Sequence, residues 1–211
     1  IRTAIGGGKG YAGQHSQSLE AVLAHIPGLK IVAPSTPYDA KGLLKAAIRD
    51  DNPVIFIEHQ LLYNIKAEVP KQEYIIPLGK ADIKREGCDV TIVTYSYMVH
   101  VALETAGILA KENISVEVID IRSLYPLDID SITESVKKTG YVLVLNQACK
   151  TGCFGEHIAY EIQKRVFDYL DAPVGLIAAI EVPPPMSQTL EEEYLPNAAK
   201  ISMHIKKMLN G

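Results

Sequence analysis

The sequence lacks the features that would place it in several large classes of protein. Lys and Arg number 21 against 25 Asp and Glu, a net charge of -4. That leaves no basic field to hold nucleic-acid phosphates, and no run of like charges forms a binding tail. The apolar stretches, such as Tyr141 to Leu145 and Val174 to Ile180, fall far short of the roughly 20 residues that cross a bilayer. Neither a nucleic-acid partner nor a membrane anchor is expected. The 3 cysteines, Cys88, Cys149 and Cys153, are an odd set. The CxxxC spacing of the last two fits neither a redox CxxC nor a zinc finger, so free thiols in a reducing compartment are expected. The chain opens at Ile1-Arg2 with no methionine and no leader resembling a signal peptide, and is expected to begin mid-protein.

What is present reads as an α/β protein. With 211 residues, 47% hydrophobic and 22% charged, the chain can bury one large core or two modest ones. Ser35-Thr36-Pro37-Tyr38-Asp39 is a strong helix start: Thr36 can cap, Pro37 suits the first helical position and Asp39 faces the positive end of the dipole. The helix should run to about Asp50, with Leu43, Leu44, Ala47 and Ile48 at helical spacing. Pro53 to Glu58 follows as a short β-branched run suited to a strand buried on both faces. Upstream, Leu29 to Val32 reads as another such strand and Gln17 to His25 as a short helix, while Ile1 to Ile5 makes a poor first strand. From His59 to about Gly87 turn-forming and charged residues predominate, and a linker is expected. Beyond it, strand candidates at Val90–Tyr95, Val116–Ile121, Tyr141–Leu145 and Val174–Ile180 alternate with helices near Met98–Lys111, Asp130–Lys138 and Glu156–Tyr169. A last helix is expected at Asn197–Leu209. Such alternation implies a mostly parallel sheet covered by helices, with ligands at the carboxyl ends of the strands.

Two local features bear on function. Gly8 to Gly13 matches GxGxxG, but the pattern lacks a convincing strand before it and an acid about 20 residues on, position 33 being Ala. A glycine-rich loop is expected there, not a dinucleotide site. His15 lies where that loop gives way to a helix, so its imidazole can project at a cleft. A lone histidine before a helix is more often a solvated or capping residue, and local chemistry alone does not make it catalytic. Arg122 directly follows a predicted strand, where a guanidinium can hold a carboxylate or phosphate of a ligand or form a salt bridge at a subunit interface.

A longer pattern narrows these readings. Gly6-Gly7-Gly8, Gln14-His15-Ser16-Gln17-Ser18, the run from His25 to Leu44, Ala47 to Pro53 with Glu58, Ile76 to Ala81, Ile119 to Asp128 and Leu170 to Val174 together resemble the beta subunit of the thiamine-diphosphate-dependent 2-oxoacid dehydrogenases of the pyruvate and branched-chain types. The resemblance covers essentially the whole chain. It implies an α/β fold in which residues 1–75 form the rear of a pyrimidine-binding domain, 76–87 a linker, and 88–211 a transketolase C-terminal domain with a mostly parallel sheet.

The resemblance also implies a chemistry. The family decarboxylates a 2-oxoacid on thiamine diphosphate with magnesium and passes the acyl group to a lipoyl disulfide on the acyltransferase component. The departing thiolate needs a proton, and the residue the family uses for contact with the lipoyl group matches His15, whose imidazole suits general-acid work. Ala47, Ile48, Asp50 and Asn52 match a segment that holds a structural potassium ion in some members, where a helix end offers free carbonyls to a hard cation. Tyr63 matches a family tyrosine and is expected to pack. The family glutamate that pairs with the aminopyrimidine would lie before Ile1, and the alpha subunit holds the diphosphate and magnesium, so no cofactor-binding residue is assigned here and the chain alone is expected to be inactive. The expected assembly is a heterotetramer of two alpha and two beta subunits, cytoplasmic in a bacterium or in the mitochondrial matrix of a eukaryote.

Pyruvate is the first expected substrate, with branched-chain 2-oxoacids or acetoin as alternatives. A transketolase or deoxyxylulose-phosphate synthase and a non-catalytic assembly module of the same fold are the competing readings. The sequence departs from the family at Asn146, where an acid is usual, and at Met186, where an aromatic is usual. Both departures bear on assembly contacts.

Overall fold

The computed structural model describes residues 1–211. Two sheets form the framework. The first has the order β1-β3-β2-β7, with β1 (Arg2–Ile5), β2 (Lys30–Val32) and β3 (Val54–His59) parallel and β7 (Ser123–Tyr125) antiparallel to β2. The second has the order β4-β6-β5-β8-β9: β5 (Val90–Thr94), β6 (Val116–Asp120), β8 (Val142–Cys149) and β9 (Gly175–Ala179) run parallel, and β4 (Asp82–Arg85) pairs antiparallel with β6. β5 and β6 are buried at every position, as expected of parallel strands covered on both faces.

The helices begin and end where local chemistry directs them. In α3 (Pro37–Arg49) the Thr36 side chain accepts from the Asp39 N–H and Pro37 fills the first turn. In α5 (Ile129–Thr139) Asp128 caps the start and Gly140, at φ 70°, closes the end in a left-handed conformation that only glycine adopts freely. Asn197 caps α8 (Ala198–Leu209). The helices α4 (Met98–Ala110) and α6 (Phe154–Val166) complete the covering layers. None of the helices is long and apolar enough to cross a membrane.

Several expectations need correction. Arg2–Ile5 does form a strand, because a parallel partner in β3 supplies the hydrogen bonds that its own weak pattern does not promise. The helix expected over Gln17–His25 is shorter, α2 (Glu20–Ala24), and a separate short helix not expected from the sequence, α1 (Ala12–His15), precedes it. The Gln17 carbonyl is taken by the Gly6 N–H at 3.1 Å, which draws the chain out of helical geometry between them. Within the stretch expected as a linker lie a 3₁₀ turn at Gln60–Asn64, strand β4, and Ile76, which is buried against Leu43 and Phe56. A further helix, α7 (Gln188–Tyr194), follows a proline-rich run that carried no helical period.

The two sheets share one core. A cluster of 18 buried residues joins Ile31, Ile55 and Ile57 of the first sheet to Val93, Ile119 and Val144 of the second and to Ile158 and Ile162 of α6. Each buried aliphatic side chain contributes about 1.5–3 kcal/mol of transfer free energy, so the halves are held by hydrophobic contact as well as by the β2–β7 ladder.

Candidate functional site

The strand order of the second sheet reverses between β5 and β8, which run parallel: the chain passes from β5 outward to β6 and later returns to β8 on the other side. Open α/β sheets bind ligands beyond the carboxyl ends of the strands at such a point. Here the position is covered by the first half of the chain. Glu20 is buried there and its Oε1 accepts from the Tyr95 hydroxyl at 2.7 Å. Burial holds the Glu20 carboxyl above its ordinary range, with the Tyr95 hydrogen bond opposing that rise.

Gly6 to Gly10 lie across the same edge. Gly6, Gly8 and Gly10 have positive φ values of 91°, 103° and 67°, conformations costly to other residues. A Cβ on Gly6 would come within 2.1 Å of His59 Nε2, so the glycine is also required by close approach. The Gly7 N–H donates to Gln147 Oε1 at 3.1 Å and the Gly10 N–H donates to Glu191 Oε2 at 2.8 Å. The GxGxxG segment therefore follows a strand after all, yet it opens a helix of 4 residues and spends the Gly10 amide on a carboxyl group of its own chain.

His59, at the end of β3, is 2% exposed. Its Nδ1 accepts from the Leu61 N–H at 3.2 Å, so Nε2 carries the proton and donates to Gln147 Oε1 at 2.6 Å. Burial lowers the pKa to about 4, which keeps the ring neutral at physiological pH; it stacks on Tyr97 with centroids 5.0 Å apart. Sequence reasoning passed over His59, Gln147 and Glu191, because nothing in their local pattern announces burial.

His15 closes α1 and is exposed. Its carbonyl accepts from Gln60 Nε2 at 2.7 Å, which ties the segment to the 3₁₀ turn while leaving the ring open to a ligand. A cavity of about 370 Å³ does not include His15; its walls include Arg2, Glu58, Tyr63 and Lys41. Glu58 there accepts from Arg2 at 2.5 and 3.0 Å and from the Tyr63 hydroxyl at 2.7 Å. Tyr63 is 58% exposed, so it braces a surface ion pair and is not a packing residue.

At the end of α3 the carbonyls of Ala47 and Ile48 fall in the last turn, beyond reach of intrahelical donors. Asp50 Oδ2 accepts from Lys30 at 2.6 Å and Oδ1 from both the backbone and side-chain N–H groups of Asn52 at 2.9 Å. The Lys30 hydrogen bond, with those from Asn52, lowers the Asp50 pKa to about 2. Both Asp50 oxygens are thus engaged, by Lys30 and by Asn52, just past the turn of α3 that carries Ala47 and Ile48.

Arg122 is 9% exposed and turns inward. Its guanidinium donates to the carbonyls of Lys80 and Ala81 at 2.9 Å and to Asp39 at 3.2 Å. All these contacts are internal, joining α3 to the approach to β4. Asn146 and Cys153 face one another, Nδ2 to Sγ at 3.4 Å, in the buried end of β8, whereas Met186 is 75% exposed. The three cysteines are free.

Two open α/β units, the first contributing a glycine loop and His15 and the second receiving that loop at its switch point, define a two-domain class of enzyme fold. Residues 1–66 match the pyrimidine-binding domain of transketolase and residues 79–201 its C-terminal domain, and the chain belongs to this family. Among its relatives, the chain is 47% identical, over its full length, to the beta subunit of acetoin:2,6-dichlorophenolindophenol oxidoreductase of Cupriavidus necator, and covers 62% of that protein. It is 46% identical to the 2-oxoisovalerate dehydrogenase beta subunit of Bacillus subtilis, with 99% of this chain and 64% of that one aligned. It is 48% identical to the beta subunit of the pyruvate dehydrogenase E1 component of the same bacterium, with the same coverage. The chain thus spans somewhat under two thirds of the length of these relatives. A split-gene transketolase solved as an inactive beta4 tetramer shares the fold, with a TM-score of 0.80 at 24% identity over 100% of this chain and 66% of that one.

Proposed function

We propose that this chain is part of the beta subunit of a 2-oxoacid dehydrogenase that acts on pyruvate and passes the acyl group to a lipoyl group of an acyltransferase component. The observation that carries the reading is His15, exposed at the end of α1 on a loop whose backbone is tied to both halves of the chain. Thiamine diphosphate with magnesium, when bound, supplies the centre that stabilises negative charge as the 2-oxoacid loses carbon dioxide. In this reading the alpha subunit holds the diphosphate and its magnesium. What this chain's own residues do is present His15: its ring nitrogen donates a proton to the lipoyl sulfur that departs as thiolate.

The assembly that follows is a heterotetramer with an alpha subunit, in the bacterial cytoplasm or a mitochondrial matrix. Residues 1–75 act as the rear of the pyrimidine-binding domain, 76–87 as the connection and 88–211 as the C-terminal domain. Potassium at Ala47, Ile48, Asp50 and Asn52 is part of the proposal, and raises the melting temperature over that in sodium if it is correct. Branched-chain 2-oxoacids and acetoin are the alternatives favoured by the names of the relatives.

In the assembled heterotetramer, His15→Ala should cut acylation of a free lipoyl domain about 100-fold or more while reduction of an artificial dye by the same enzyme persists. Unchanged lipoyl acylation would remove His15 from the mechanism. Parallel assays with pyruvate, 2-oxoisovalerate and acetoin select the substrate, and turnover of none of them would leave the assembly-module reading.

A further inference from the structure

We propose that Gln147 and Glu191, both from the second half of the chain, are positioning residues that hold the glycine loop and through it fix His15. The inference rests on the reading of His15 as the acyl-transfer residue.

The loop from Gly6 to Gln17 is closed at its base by the Gly6 N–H donating to the Gln17 carbonyl at 3.1 Å. Its entry has glycine at positions 6, 7, 8 and 10, three of them with positive φ. Such a backbone has the most conformational freedom to lose and almost no side chains to bury, so its order has to come from outside. Two of the bonds that supply it are those from the Gly7 and Gly10 N–H groups to Gln147 Oε1 and Glu191 Oε2. The Met186 carbonyl stands 2.9 Å from where a Cβ on Gly10 would lie, so the segment before α7 presses on the same turn.

The receiving side chains are buried, Gln147 at 6% and Glu191 at 3% exposure, and each has an atom without a hydrogen-bond partner, Gln147 Nε2 and Glu191 Oε1. A buried polar group that satisfies only half its capacity costs stability, and apolar side chains of similar shape would pack this junction at less cost. The atoms that are satisfied point at the loop. His59 fixes which atom that is: its Nε2–H donates to the same Gln147 oxygen, which aims the amide carbonyl at the Gly7 N–H. What these side chains contribute is therefore the shape of the loop, and His15 lies 5 residues beyond the last anchored glycine.

The test uses the assembled heterotetramer with thiamine diphosphate and magnesium, carrying Glu191→Ala, Glu191→Gln, Gln147→Leu or His15→Ala. Hydrogen exchange over residues 6–15 should quicken about 10-fold or more in Glu191→Ala and Gln147→Leu. Acyl transfer to a free lipoyl domain should fall about 10-fold or more while dye reduction changes less than about twofold. Glu191→Gln, which keeps a carbonyl oxygen for the Gly10 N–H, should restore both. Unchanged exchange in Glu191→Ala, or an equal fall in transfer and dye reduction, would overturn the proposal. If His15→Ala transfers at the parent rate, the reading of His15 fails, and the exchange data alone decide whether the two side chains hold the loop.

Discussion

Asp39 and Arg122, 83 positions apart, meet at 3.2 Å in the interior, and Lys84 reaches the same carboxylate at 2.8 Å. Asp39 is fully buried and, although burial raises its pKa, the hydrogen bonds from Lys84 and Thr36 and the charges of Lys84 and Arg122 carry it below its ordinary value. The first turn of α3 is thereby tied to the segment between the two sheets.

Removing one member of this group strands a buried charge. Arg122→Ala should destabilise the chain by about 3 kcal/mol, the lower end of the usual range for a broken buried pair because Lys84 remains. Arg122→Lys should recover little, since one ammonium cannot replace the fork that reaches the Lys80 and Ala81 carbonyls as well. Urea unfolding midpoints measure both, and a loss under about 1 kcal/mol for Arg122→Ala would contradict the arrangement.

Stability against pH should carry two opposing slopes. Burial raises the Asp120 pKa from 3.8 to about 7, Lys84 and the Ser35 hydrogen bond acting against it. With the folded value above the unfolded one, its contribution is complete below about pH 3.8 and is lost as pH rises through about 7. His59 acts in the other sense: depressed from 6.5 to about 4, it contributes fully above pH 6.5 and loses that contribution as pH falls toward 4. Asp120→Asn should therefore leave a net gain of stability from pH 4 to 7, and His59→Asn a net loss. Melting curves across that window that are unaltered by either substitution would refute the assignment.

Gly6→Ala combines a positive φ with a collision. The new Cβ would meet His59 Nε2 at 2.1 Å and Gln147 Oε1 at 2.7 Å, and His59 is walled in by Tyr97. A loss of about 2–4 kcal/mol is expected from strain and overpacking together, read by thermal melting. Gly28→Ala, at φ 90° with open space around it, should cost only the strain of the backbone, about 1–2 kcal/mol.

Much of the framework was legible from local chemistry. The caps at Thr36 and Asn197, the buried β-branched runs of β5 and β6 and the helical spacing in α3 carry their own signals, because each depends on neighbours a few residues away. The motif around His15 was equally legible, since it is contiguous. β1 and β7 were not, because 4-residue and 3-residue strands draw their stability from a partner remote in sequence.

The sequence by itself determined the α/β class, the family and the place of a histidine after a glycine loop. The tertiary structure alone decided what that loop rests on. Gln147 and Glu191 lie 140 and 181 positions from the glycine amides they receive, and Arg122, expected to meet a ligand or a subunit interface, is the partner of Asp39. Burial and long-range hydrogen bonding depend on which segments the folded core brings together, and a local pattern of residues does not contain that information.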